Sequence, residues 1–168
     1  MPALVLENLN ISGHCGTSLF GKIAYPQKGG PFPGVLLIHG LRSDSREFGD
    51  FPEALSLKGY MVLSFDYSGH GQSEGRPQLI TTSSYRNDTL AALSILRKRG
   101  AYPIFVLGHS FGVYAALLSA HNDAIVMGAV LICPQYRSGA SLKGFKRFIF
   151  IMGGVILKFL GFLVPNIY

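Results

Sequence analysis

Apolar and polar positions fall into short blocks along this chain, and the blocks change character at glycines. "ALVLENLNI" and "TSLFGKIAYP" read as two strands joined by a turn through Gly13-His14-Cys15-Gly16. "GVLLIHG" is continuously apolar and bounded by glycines, the pattern of a strand covered on both faces. "REFGDFPEALSLKG" predicts a helix ending at Gly59, and "YMVLSFD" a second buried strand. From about Ser84 the spacing of Leu90, Leu93 and Leu96 predicts a long helix with one apolar face. Arg97-Lys98-Arg99 suits the negative end of its dipole, and Gly100 can supply a left-handed cap. "PIFVLG" predicts a strand, "FGVYAALLSAH" a helix and "AIVMGAVLIC" a further strand. Strand and helix thus alternate, which implies a mostly parallel sheet with helices on both faces, an α/β fold. There is no internal repeat and no low-complexity linker.

Composition narrows this picture without changing it. The chain has 168 residues, 48% of them hydrophobic and 14% charged, enough for one core-forming domain and incompatible with general disorder. A net charge of +6 would suggest nucleic acid if it were spread over a face. Residues 136–168 hold Arg137, Lys143, Lys146, Arg147 and Lys158 with no acidic residue, so +5 of the +6 sits in one apolar tail. No interleaving of basic and aromatic residues accompanies it, and nucleic acid is excluded as a partner. Cys15 and Cys133 have no metal-ligand spacing, and Cys133 reads as a small buried hydrophobe. "MPALVLENLNISG" lacks the basic and apolar regions of a signal peptide, which points to a cytoplasmic protein.

Candidate chemistry lies at the carboxyl ends of the predicted strands, where ligands bind in such sheets. Three turns fall there: His39-Gly40-Leu41, Asp66-Tyr67-Ser68-Gly69-His70-Gly71, and Gly108-His109-Ser110-Phe111-Gly112. The last is G-x-S-x-G with a strand before it and a helix after it. Such a turn forces the serine into a strained backbone conformation and projects its hydroxyl, while Gly108 and Gly112 leave room for strand and helix to approach. The amide of Phe111, at a helix start, has no intrahelical partner and is free to stabilise an oxyanion. "GHGQSEG" spaces its glycines one residue too far apart for a dinucleotide loop, and no Walker lysine follows.

"LLIHG", "FDYSGHGQSEG" and "VLGHSFG", in this order, resemble the α/β-hydrolase superfamily, and the second is similar to the monoacylglycerol lipase and lysophospholipase branch grouped with the serine aminopeptidase-like hydrolases. The likeness is strongest over about residues 10–135. It implies Ser110 as nucleophile, Leu41 and Phe111 as donors of the oxyanion amides, and His39, Gly40, Gly108, His109 and Gly112 as elbow and loop structure. His70 and Asp66 would order loops, and no metal or organic cofactor is called for. Val113 stands where the branch usually has another glycine.

A serine nucleophile needs a base, and the base an orienting acid. In this superfamily the acid and then the histidine follow the serine. Downstream of Ser110 only His121 and Asp123 are available, in the reverse order, with His121 about 16 Å along a helix. The expectation is therefore an incomplete piece of a longer hydrolase, with residues 1–137 as core and 138–168 as the beginning of an apolar cap. The last predicted strand would keep an unpaired outer edge. "FIFIMGGVILKFLGFLVP", Phe148 to Pro165, reads as a cap helix or a borderline membrane span, with membrane-surface contact through residues 145–165. The expected parent activity is cleavage of a small apolar carboxylic ester. A Ser at the elbow argues against the branches that use aspartate there, and "HGLR" replaces the "GGPG" loop of proline iminopeptidases. Thioesterase or acyltransferase chemistry, and a non-catalytic or membrane-associated protein of this fold, stay open.

Overall fold

The computed structural model describes residues 3–77, 81–122, 125–132, 148–152 and 155–157. Strands β1 (Leu4–Ser12) and β2 (Ser18–Pro26) form an antiparallel hairpin around a short 3₁₀ turn at His14–Gly16. They lead into β3 (Gly34–Ile38), helix α1 (Phe51–Ser56), β4 (Met61–Phe65), α2 (Thr82–Lys98), β5 (Ile104–His109), α3 (Gly112–Asn122) and β6 (Val126–Ile132). The sheet runs in the order β1-β2-β4-β3-β5-β6, with β4, β3, β5 and β6 mutually parallel. β7 (Phe148–Met152) and β8 (Val155–Leu157) complete it.

Every residue of β3 and β4 is buried, as their unbroken apolar runs require of central strands. Alternate side chains serve two cores. Leu36, Ile38, Leu63 and Phe65 pack with Leu93 and Leu96 of α2 and Val113, Ala115 and Ala116 of α3. Val35, Leu37, Val62 and Leu107 pack on the opposite face against Phe48 and Leu55. Helices therefore cover both faces of a mostly parallel sheet. Burying Leu93 and Leu96 contributes about 1.5–3 kcal/mol each. α2 starts where Thr81 and Ser84 exchange side-chain and backbone hydrogen bonds in a capping box, and it stops at Gly100, whose φ of 76° ends the turn.

Two expectations are corrected. The helix over residues 46–59 is split: a 3₁₀ turn at Ser45–Phe48 ends at Gly49 (φ 50°), and α1 starts afresh with Pro52 in its first turn. The tail is also not helical where it is described. Phe148–Met152 pairs in parallel with β6, and Val155–Leu157 returns antiparallel to it. The outer edge of β6 is thus paired, and the sheet runs on beyond residue 137. Dense β-branched and aromatic residues favour strands. Among the described residues no helix is long and apolar enough to cross a membrane. Cys133, residues 138–147 and residues 158–168 lie outside the described residues.

Candidate functional site

β3, β4 and β5 run in the same direction, so His39, Asp66 and His109 emerge at one edge of the sheet. The turn after β5 carries Ser110 at φ 50°, a left-handed conformation that a non-glycine residue adopts at a cost. Its tightness rests on missing side chains. A β-carbon on Gly112 would lie 2.4 Å from the Ile38 carbonyl oxygen and 2.7 Å from that of His39. One on Gly108 would lie 2.5 Å from the Gly112 carbonyl oxygen and 2.8 Å from the Val113 α-carbon. Helix α3 can therefore start directly against β3 and β5. The Ser110 amide donates to the Ile132 carbonyl at 2.9 Å, which ties the turn to the end of β6.

The loop after β3 is built differently. Buried His39 accepts the Tyr67 amide proton on Nε2 at 3.1 Å, so its own proton sits on Nδ1 and is donated to the Gly40 carbonyl at 2.8 Å. That arrangement needs a neutral ring, and burial holds the His39 pKa below its ordinary value. The Gly40 carbonyl also accepts from the Ser43 amide at 3.3 Å. Because a peptide unit is planar, fixing the Gly40 carbonyl fixes the direction of the Leu41 N–H on the same unit. Gly40 lies against the turn after β5: a β-carbon there would be 3.3 Å from Ser110 Cβ. Among the described residues, neither the Leu41 nor the Phe111 amide donates to an acceptor.

Asp66, buried at the end of β4, joins this loop to the next one. Its Oδ1 accepts from the Ser45 amide at 2.7 Å and its Oδ2 from the Gln72 amide at 2.8 Å. Gly71 must be glycine beside it, since a β-carbon there would lie 2.1 Å from Asp66 Oδ2. His70 is buried with Nδ1 3.2 Å from the Ser68 carbonyl oxygen, and its ring sits 5.2 Å from that of His39.

The structure thus brings Ser110, Phe111, Gly40, His39, His109, Gly108 and Gly112 to one edge, with Leu41 next to Gly40. His121 does not join them; it sits in the last turn of α3, and Asp123 lies outside the described residues. Leu41 beside Gly40, Phe111 beside Ser110 and Tyr114 on α3 expose large side chains, 53%, 37% and 47%, alongside the polar Arg42 and His109. Phe111 packs on the buried Tyr85 ring at 4.9 Å, and burial pushes the Tyr85 hydroxyl up to about 12.

Two acids of the site escaped the sequence reading. Glu47 sends its carboxylate back to the Gly40 amide and to His109. Asp88, 1% exposed on α2, accepts from the His14 amide at 2.7 Å and from the Ser68 hydroxyl at 2.7 Å, tying the β1–β2 turn to the loop after β4. A polar residue at an inward position of the apolar α2 pattern was the available signal for Asp88; nothing local marked Glu47.

A family model described as serine aminopeptidase, S33, matches residues 30–168. Monoglyceride lipase of Rattus norvegicus is 26% identical over 159 residues, covering 90% of this chain and 49% of the relative. Esterase EstD of Thermotoga maritima is 31% identical over 126 residues, covering 70% of this chain and 30% of the relative. The chain therefore spans about half or less of the length of these curated relatives. Among solved structures, an esterase of Pyrococcus furiosus, Pf2001, matches with a TM-score of 0.67 at 23% identity, over 78% of this chain and 50% of that one. Est1E of Butyrivibrio proteoclasticus, solved with ferulic acid, matches with a TM-score of 0.68 at 24% identity, over 75% of this chain and 53% of that one. The structural likeness speaks for an α/β-hydrolase fold alone.

Proposed function

We propose that this chain, which belongs to the serine aminopeptidase S33 family of α/β-hydrolases, carries the nucleophile and oxyanion half of a carboxylic ester hydrolase. Ser110 Oγ attacks the ester carbonyl and the developing oxyanion accepts hydrogen bonds from the Leu41 and Phe111 amides. Collapse expels the alcohol and leaves an acyl-Ser110, which water then cleaves to the acid and free serine. Both steps need a base to take and return the proton. Of the five histidines, His39 is bonded to Tyr67 and Gly40, His109 lies against Glu47, and only His121, in the last turn of α3, follows Ser110; we assign the base and its acid to residues outside these 168.

The observation that carries this reading is Ser110 held at positive φ between glycines that admit no side chain. The exposed side chains of Leu41, Phe111 and Tyr114 support an apolar acyl group, and relatives named as a monoglyceride lipase and an esterase agree with an ester bond. The test is covalent labelling. The purified chain is incubated with a fluorophosphonate and imidazole as substitute base, and the adduct is mapped by mass spectrometry. A single adduct on Ser110, absent from Ser110→Ala, is expected. Equal labelling of Ser110→Ala, or none of the parent, would refute the nucleophile and favour a non-catalytic protein of this fold. Turnover of p-nitrophenyl butyrate without imidazole should stay within the roughly 10³–10⁴-fold residual that oxyanion hole and binding give without a complete triad.

A further inference from the structure

We propose that Glu47 is a positioning residue that locks together the two chain segments bearing the oxyanion amides, an inference that rests on the reading of Ser110 above. β3 and β5 pair in parallel from Gly34↔Ile104 to Ile38↔Gly108, and there the ladder stops. Beyond it, residues 39–41 and 109–111 are no longer paired with each other, and His109 and Ser110 are tied to Ile132 on the far side, yet the Leu41 and Phe111 amides must converge on one oxygen. Glu47 spans the gap. Its Oε1 accepts the Gly40 amide proton at 3.2 Å and lies 3.1 Å from His109 Nδ1. Gly40 immediately precedes Leu41, and His109 immediately precedes Ser110. One carboxylate oxygen, with two lone pairs, therefore does on both sides what a further rung of the ladder would do.

The clamp is itself anchored. Glu47 sits on the 3₁₀ turn Ser45–Phe48, whose first amide donates to Asp66, and whose cap residue Asp44 accepts from the Arg46 amide at 3.0 Å. Asp66 thus fixes the backbone from which Glu47 reaches. The turn itself is open to solvent, yet the Glu47 side chain folds back and is only 17% exposed. Losing the Gly40 bond frees the peptide between His39 and Gly40 and leaves the adjoining unit that presents the Leu41 N–H held only through the Gly40 carbonyl, by His39 and Ser43. Oxyanion stabilisation depends on donors that need no reorganisation, so such freedom slows reaction at Ser110 without removing any reacting group.

Three variants in the full 168-residue chain separate the possibilities. Glu47→Ala removes both contacts. Glu47→Asp keeps the charge but is one methylene too short to reach both partners. Glu47→Gln keeps an oxygen for the Gly40 amide and loses the charge. Two readouts are taken: exchange of the Gly40 amide proton by NMR, and the rate of Ser110 phosphonylation by the fluorophosphonate with imidazole. Glu47→Ala and Glu47→Asp should each speed Gly40 exchange and slow labelling by about tenfold, with Glu47→Gln close to the parent in both. Unchanged exchange and labelling in Glu47→Asp and Glu47→Ala would overturn the proposal. So would slow labelling in Glu47→Gln with normal labelling in Glu47→Asp, which would assign the effect to charge. If Glu47→Ala does not fold, the Asp and Gln pair decides. If the parent is not labelled at Ser110, the hydrolase reading fails, and Gly40 exchange still decides whether the clamp exists.

Discussion

The loop after β3 and the turn after β5 face each other across Ser110, and they are held by different forces. Residues 39–48 are fixed by hydrogen bonds: His39 to Tyr67 and Gly40, Asp66 to Ser45, Glu47 to Gly40. Residues 108–112 carry hydrogen bonds, Ser110 to Ile132 and His109 to Glu47, but owe their tightness to contact, through two glycines that let backbone meet backbone and a serine pressed into a left-handed conformation. In the proposed hydrolase, both segments present an amide in a set direction. The hydrogen-bonded one depends on protonation states, and the packed one depends on the absence of two methyl groups.

The largest effect should come from breaking the packed side. Gly112→Ala puts a carbon 2.4 Å from a central-strand carbonyl, where no flexible side chain can move away. A loss of about 3 kcal/mol in urea unfolding is expected, with labelling of Ser110 abolished. A loss below about 1 kcal/mol would show that the turn is looser than this geometry requires.

The hydrogen-bonded side should respond to pH instead. The folded-state pKa of His39 is depressed by burial, so the folded protein binds its proton less readily than the unfolded chain does. The stability His39 contributes is therefore complete above the unfolded value near 6.5 and is lost as pH falls below it. One such group can change stability by at most about 1.4 kcal/mol per pH unit. Urea midpoints at pH 7.5 and 5.5 should separate more in the parent than in His39→Asn. Equal separations would remove His39 as the sensitive group.

The smallest effect has the opposite sign. Ser110→Gly relieves the strained φ and should stabilise the chain by about 0.5–1 kcal/mol while eliminating the phosphonate adduct. Differential scanning calorimetry of the two proteins checks it; an unchanged or lower midpoint would mean that the serine side chain contributes as much as its backbone costs.

The packed side was legible from sequence because glycines announce themselves: Gly108 and Gly112 flank Ser110 at fixed spacing, and the strand before and helix after follow from periodicity. The alternation of strands and helices was legible for the same reason. The hydrogen-bonded side was only half legible. His39 and Asp66 lie at motif positions, but Glu47 acts on a residue 62 positions away, and no local pattern encodes that distance. Asp88 likewise reaches His14 across 74 positions from the middle of a helix. The tail was misread for another reason: "FIFIM" is apolar at every position, and without polar gaps strand and helix periods cannot be told apart.

The place of β3 in the sheet carries a consequence for how the chain is made. All five of its residues are buried, between β4 on one side and β5 on the other. During synthesis at about 5–20 residues per second, the roughly 70 residues separating β3 from β5 take about 4–14 s to emerge. Hydrophobic collapse takes microseconds. For seconds, then, the greasiest strand of the nascent chain has one open edge, and its most dangerous competitor is the same strand on a neighbouring polypeptide.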